Sequence, residues 1–105
     1  MARFDVYKNP GKHAGTTPYL IDVQTDLLDG LDSRMVVPLR NVEDFPNVQL
    51  PTRLTPVLTI SGQKFLLETP KMGAVPKRVL KSPVTSLADM RVQIMDALDF
   101  LFQGY

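Results

Sequence analysis

The sequence predicts a mainly β domain completed by one C-terminal α-helix. Two observations carry that expectation. Ahead of Pro83, apolar residues recur with period two between frequent turn residues, and beyond it the period becomes helical. In addition, no internal repeat or low-complexity tract divides the 105 residues, so 1–105 is read as a single domain. A chain of that size removes roughly 60–70% of its unfolded surface from water without metals or cross-links. The expected architecture is a strongly twisted antiparallel sheet, or small open barrel, packed on the helix.

Arg3-Phe4-Asp5-Val6-Tyr7 alternates and sends Phe4 and Val6 to one face. Asn9 to Gly15 is rich in breakers and reads as an exposed, mobile loop. Tyr19 to Gln24 alternates again, with Tyr19, Ile21 and Val23 together. Arg34-Met35-Val36-Val37-Pro38-Leu39 is apolar enough for a buried strand, and Pro38 implies an edge or bulge near its end. From Arg40 to Pro56 the periodicity lapses, and Pro46, Pro51 and Pro56 mark an irregular excursion. Pro56–Ile60 and Gln63–Leu67 flank Ser61-Gly62, a hairpin whose glycine supplies a positive φ. Glu68 to Lys71 turns the chain, and Gly73 to Leu80 forms a last short strand.

The helix follows, with Ser86 and Asp89 at capping-box spacing. At about 100° per residue, Leu87, Met90, Ile94, Ala97, Leu98 and Leu101 form one apolar stripe, while Val92, Met95 and Phe102 line a second face interrupted by Asp99. The first stripe is expected in the core. The second is too apolar for a purely solvated face and points to a twin copy or another protein.

Composition narrows the function. Hydrophobic residues make up 44% and charged residues 22%, an ordinary globular balance. With 12 basic and 11 acidic side chains the net charge is +1, too little to hold a polyanion by phosphate contacts alone. There is no cysteine, hence no disulfide framework and no thiolate metal site. Neither a signal-like apolar core nor a membrane-length run is present, and a reducing cytoplasm fits best.

Catalytic constellations are sparse. His13 is the one histidine, set in the loop among glycine and lysine, and reads as a solvated residue. Asp22, Asp26, Asp29 and Asp32 lack the ligand-dense spacing of a calcium loop and read as turn-forming and capping residues. No phosphate-cradling glycine motif surrounds Gly62 or Gly73. An acid–arginine site of the kind ribonuclease toxins use could be assembled from Arg3, Arg34, Asp22 and Asp26, although surface ion pairing is the commoner role for such residues on strands. No catalytic, cofactor or metal residue is assigned.

The segment Tyr19-Leu20-Ile21-Asp22-Val23-Gln24-Thr25-Asp26-Leu27-Leu28-Asp29, the strand Arg34-Met35-Val36-Val37-Pro38-Leu39, Met72-Gly73-Ala74-Val75-Pro76 and the ending Phe102 to Tyr105 closely resemble the CcdB toxin family across nearly the whole chain. The resemblance implies a small SH3-like barrel with a C-terminal helix, a homodimer, and the toxin of a type II toxin–antitoxin pair. It further implies binding to the A polypeptide of DNA gyrase, neutralisation by a CcdA-like antitoxin, and DNA contact only indirectly, through the antitoxin complex in transcription autoregulation. By the same resemblance the gyrase-binding residues are Leu27, Leu28, Asp99, Phe102, Gln103, Gly104 and Tyr105. Two consecutive leucines cannot both face one interior, so at least one of Leu27 and Leu28 is expected to be exposed. The family pattern has Asn, Trp and Ile where this chain has Asp99, Gln103 and Tyr105. Loss of the tryptophan removes an interface anchor of the kind that contributes about 2–4 kcal/mol. An endoribonuclease on a related barrel, or a non-toxic interaction module, are the alternatives.

Overall fold

A computed structural model describes residues 2–44 and 51–104, and Tyr105 and Pro46 lie outside them. Among the described residues seven strands form one antiparallel sheet: β1 (Asp5–Lys8), β2 (Tyr19–Asp22), β3 (Ser33–Asn41), β4 (Val57–Ile60), β5 (Gln63–Leu67), β6 (Gly73–Pro76) and β7 (Thr85–Ser86). The order is β4-β5-β3-β2-β1-β7, with β6 also paired to β3. The sheet curls into a half-barrel, and the helix α1 (Arg91–Gln103) packs against it. None of the described helices is long and apolar enough to cross a membrane.

Alternation decides which side chains face inward. Val6 from β1, Ile21 from β2, Val37 and Leu39 from β3, Leu58 from β4, and Phe65 and Leu67 from β5 join Ile94, Ala97 and Leu98 of α1 in one buried cluster. The ring of Tyr19 meets Phe65 edge to face at 5.3 Å. Phe4 also belongs to this cluster, held at φ 73° while its N–H donates to the Asp22 carbonyl at 2.6 Å. A second, smaller cluster lies on the sheet's other face: Tyr7, Leu20 and Val36, covered by Leu80.

β3 is the spine of the sheet. Its residues 36–39 pair with β2, while on its other side 33–36 pair with β6 and 39–41 with β5. Pro38 lies inside this nine-residue strand rather than at an edge or bulge near its end. The N and C=O of a strand residue point to the same side. Since the Pro38 carbonyl accepts from Glu68 N–H at 3.0 Å, its nitrogen faces the gap where β3 exchanges β6 for β5 and no ladder donor is required.

Two further expectations change and a third is met and extended. The strand expected to run from Gly73 to Leu80 stops at Pro76: one further bond joins Lys77 N–H to the Asp32 carbonyl at 2.7 Å, and Lys77–Val79 then forms a 3-10 turn that leads Leu80 onto the second cluster. The capping box does not form. Ser86 pairs with Asp5 in β7, its hydroxyl accepts from Ala88 N–H at 3.2 Å, and a 3-10 turn (Ala88–Met90) leads into α1. Finally, the hairpin between β4 and β5 uses positive φ at both turn residues, 52° at Ser61 and 81° at Gly62. That pair of values is a type I′ turn, whose twist matches the flanking strands.

The predicted core stripe is buried through Leu87, ahead of α1, and Ile94, Ala97 and Leu98 on it, with Met90 packed beside them, while Leu101 is only half-buried. On the second face Val92 and Phe102 are exposed, whereas Met95 packs partly on the core.

Candidate functional site

Two exposed apolar features stand out on the surface, and each is held by identifiable forces. The first is the segment that follows β2. Asp26–Leu28 forms a 3-10 turn capped by the Thr25 hydroxyl, which accepts from Leu27 N–H at 3.4 Å. Leu27 is 93% exposed and Leu28 48%, so neither leucine of the pair enters the core. For a large aliphatic side chain, 93% exposure forgoes on the order of 1.5–3 kcal/mol of burial, which marks the position as one not used for folding.

Beneath this turn lies a polar platform. Arg34 of β3 is wholly buried and its Nε donates to the equally buried Asp22 carboxylate at 2.7 Å. Its Nη1 donates to Asp29 at 3.2 Å and its Nη2 to the Gln24 carbonyl at 3.3 Å, with Asp26 at 3.6 Å. Burial alone would lower the arginine's pKa, but the Asp22 hydrogen bond and the charges of Asp22, Asp29 and Asp26 outweigh it and the net direction is upward. Burial also raises the pKa of neighbouring Tyr7, helped by the charges of Asp5 and Asp22.

The remaining bonds tie the turn to distant parts of the chain. Lys77 Nζ donates to the Asp29 carbonyl at 2.8 Å and approaches its carboxylate at 3.4 Å, which lowers the Asp29 pKa. Arg3 N–H donates to Asp26 at 2.9 Å. Gln24 bridges the turn to the sheet: its Nε2 donates to the Leu28 carbonyl at 3.1 Å, and its Oε1 accepts from Met35 N–H at 3.1 Å.

The second feature is the end of α1. Asp99 and Gln103 are exposed, Phe102 is 70% exposed, and Gly104 closes the helix at φ 79° with its N–H on the Phe100 carbonyl at 2.9 Å. That left-handed cap is the helix-ending role glycine serves without strain. Arg53 pins the preceding turn, making two hydrogen bonds to Asp96 at 2.7 and 2.8 Å while its guanidinium lies 5.2 Å from the Phe100 ring centroid. Leu27 and Leu28 therefore sit on one element, and Asp99, Phe102, Gln103 and Gly104 on another.

The other sequence candidates fall as follows. Arg3, Arg34, Asp22 and Asp26 do come together, but only Arg34 and Asp22 form a buried ion pair; Asp26 is exposed at 3.6 Å from Arg34, and Arg3 meets it through its backbone N–H. Arg3 Nε is spent on the Val23 carbonyl at 3.0 Å. Of the four aspartates, Asp22 forms a turn by accepting from Gln24 N–H at 3.0 Å, Asp29 is an ion-pair partner, and the capping falls to Thr25. His13 is exposed on the rim of a cleft of about 400 Å³ floored by Leu20 and Pro38. Among the described residues no three His, Cys, Asp or Glu side chains converge to hold a metal. Sequence reasoning assigned no part to Gln24 or Lys77. An amide set between two acids at a strand end was the available signal for Gln24, while nothing local marked Lys77.

A protein-family model described as CcdB protein matches residues 3–104, nearly the whole chain.

Proposed function

Because this chain belongs to the CcdB family, we propose that it is the toxin of a type II toxin–antitoxin pair and acts by binding the A polypeptide of DNA gyrase. The observation that carries this reading is the outward presentation of Leu27 on a platform built around the buried Arg34–Asp22 ion pair, together with Phe102 at the helix end. Exposed apolar anchors on rigid supports suit a protein interface, because little ordering entropy is lost when they are covered.

The binding surface combines Leu27 and Leu28 with Asp99, Phe102, Gln103 and Gly104, and Tyr105 beyond them. A twofold homodimer presents this surface twice to the twofold gyrase A dimer. By holding the open, DNA-cleaved conformation in preference to the closed one, the toxin shifts the population toward it and religation stalls. No covalent chemistry by the toxin is required. A CcdA-like antitoxin neutralises it in the cytoplasm by covering part of the same surface, and the complex represses its own operon through antitoxin contacts to DNA.

The ribonuclease reading has the burial of Arg34 and Asp22 against it, since neither side chain can reach a phosphate or a ribose hydroxyl. The deciding experiment is a gyrase cleavage assay with purified protein. Accumulation of cleaved DNA at micromolar toxin, abolished by Phe102→Ala, supports the proposal. Normal supercoiling and religation at that concentration reject it.

A further inference from the structure

We propose that Gln24 is a positioning residue for the gyrase-binding surface, acting through Leu27 and Leu28 without touching the target itself. The inference rests on the gyrase reading above and goes beyond it by naming what holds the apolar pair in its binding geometry.

The turn that carries the leucines is only three residues long and none of its side chains is buried, so it has no core of its own to fix it. Its internal bonds are few: Leu28 N–H to the Thr25 carbonyl at 3.1 Å, Asp29 N–H to Asp26 at 3.2 Å and Leu31 N–H to Leu28 at 3.1 Å. A 3-10 turn of that length is readily lost unless something external holds it. Arg34 reaches Asp22 before the turn, Asp26 at its start and Asp29 after it, and Arg3 N–H and Lys77 Nζ bind Asp26 and the Asp29 carbonyl, but none of these bonds meets the carbonyl of Leu28.

Gln24 supplies that missing link. One side-chain amide donates to the Leu28 carbonyl and accepts from Met35 N–H on β3, so the leucine turn is bonded to the central strand through a single planar group. Its own backbone is fixed as well, with N–H on Asp22 and C=O on Arg34. The chemistry needs an amide: both a donor and an acceptor are used at once, which neither carboxylate nor hydrocarbon of the same size can provide. Holding Leu27 and Leu28 in place before the target arrives lowers the ordering cost of binding.

The test uses Gln24→Glu, which keeps the acceptor for Met35 N–H and replaces the donor to Leu28 with a repelling oxygen, and Gln24→Ala, which removes both bonds. Affinity for gyrase A is measured for each variant, alone and combined with Leu27→Ala. Amide exchange is measured in parallel at Leu28, Asp29 and Leu31. The expected result is a loss of about tenfold in affinity for Gln24→Glu, equivalent to about 1.4 kcal/mol, which disappears in the Leu27→Ala background. Protection at the three amides falls while that of β3 is retained. Gly62→Ala, in the β4–β5 turn and outside the proposed surface, serves as the control in which stability falls and affinity does not.

An equal loss with or without Leu27 overturns the proposal, because Gln24 would then act independently of the leucines. Unchanged amide protection overturns it too. Should the wild-type protein fail to bind gyrase A, the functional reading falls, and the exchange result alone decides whether Gln24 orders the turn.

Discussion

The Arg34 guanidinium and the Asp22 carboxylate meet at 2.7 Å across β3 and β2 with no solvent exposure of either side chain. A charge pair removed from water is costly to break from one side, because the survivor remains buried. Asp22→Ala is therefore expected to destabilise the fold by about 3–5 kcal/mol, toward the lower figure since Asp29 still reaches Arg34. Urea denaturation of the variant against the wild type reads the difference directly. A loss under about 1 kcal/mol would contradict the role given to the pair.

Phe102 and Leu27 present the opposite case. Both are largely exposed, so Phe102→Ala and Leu27→Ala should each change stability by no more than about 0.5 kcal/mol. If they anchor an interface, each should weaken gyrase A binding by at least about tenfold, roughly 1.4 kcal/mol. Paired melting and titration experiments separate the two effects.

Arg53 and Asp96 give an acid-dependent prediction. The Asp96 carboxyl is held below its ordinary pKa of 3.8 by the hydrogen bonds and charge of Arg53. A depressed folded-state pKa means that the pair's stabilisation is present above the unfolded value and disappears as pH falls through the lowered one. In Arg53→Ala the Asp96 carboxyl should titrate nearer its ordinary value, seen by NMR titration, and the drop in stability from about pH 4 downward should be shallower than in the wild type. The pair is exposed, so the difference is small and shrinks further in high salt.

The hairpin turn offers a purely conformational test. A Cβ at Gly62 would meet nothing within 4 Å, so the cost of Gly62→Ala lies in its φ of 81° and should be about 1 kcal/mol. Ser61→Asn, at φ 52°, should stabilise slightly, since asparagine tolerates that region better. Thermal denaturation of both variants checks the sign of each change.

The parts of this molecule legible in its sequence are those governed by near neighbours. The Ser61-Gly62 turn and the strands beside it depend on residues a few positions apart, as does the stripe Leu87, Ile94, Ala97, Leu98 on the helix. What escaped was set by remote segments. Ser86 was free on paper to cap the helix, yet Asp5, far earlier in the chain, recruits it into β7. Arg34 reads as a strand-surface charge until β2 brings Asp22 against it, and Lys77 reads as part of a strand until Asp29 captures its ammonium group. Exposure of at least one of Leu27 and Leu28 followed from their being adjacent. That both lie outside the core, and that Gln24 tethers them, required the register of β2 on β3.

The arrangement of the core sets an order of events during synthesis. β3 obtains partners on its second side only when residues 63–76 have left the ribosome, and α1 is made after every strand it covers. Until then the concave row of Val6, Ile21, Val37 and Leu39 has no lid, and a nascent chain paused before α1 carries that row open to water. Translation must therefore run through Ile94 and Leu98 before that row is covered, whereas Arg34, Met35 and Lys77, which hold the Leu27 turn, are made earlier.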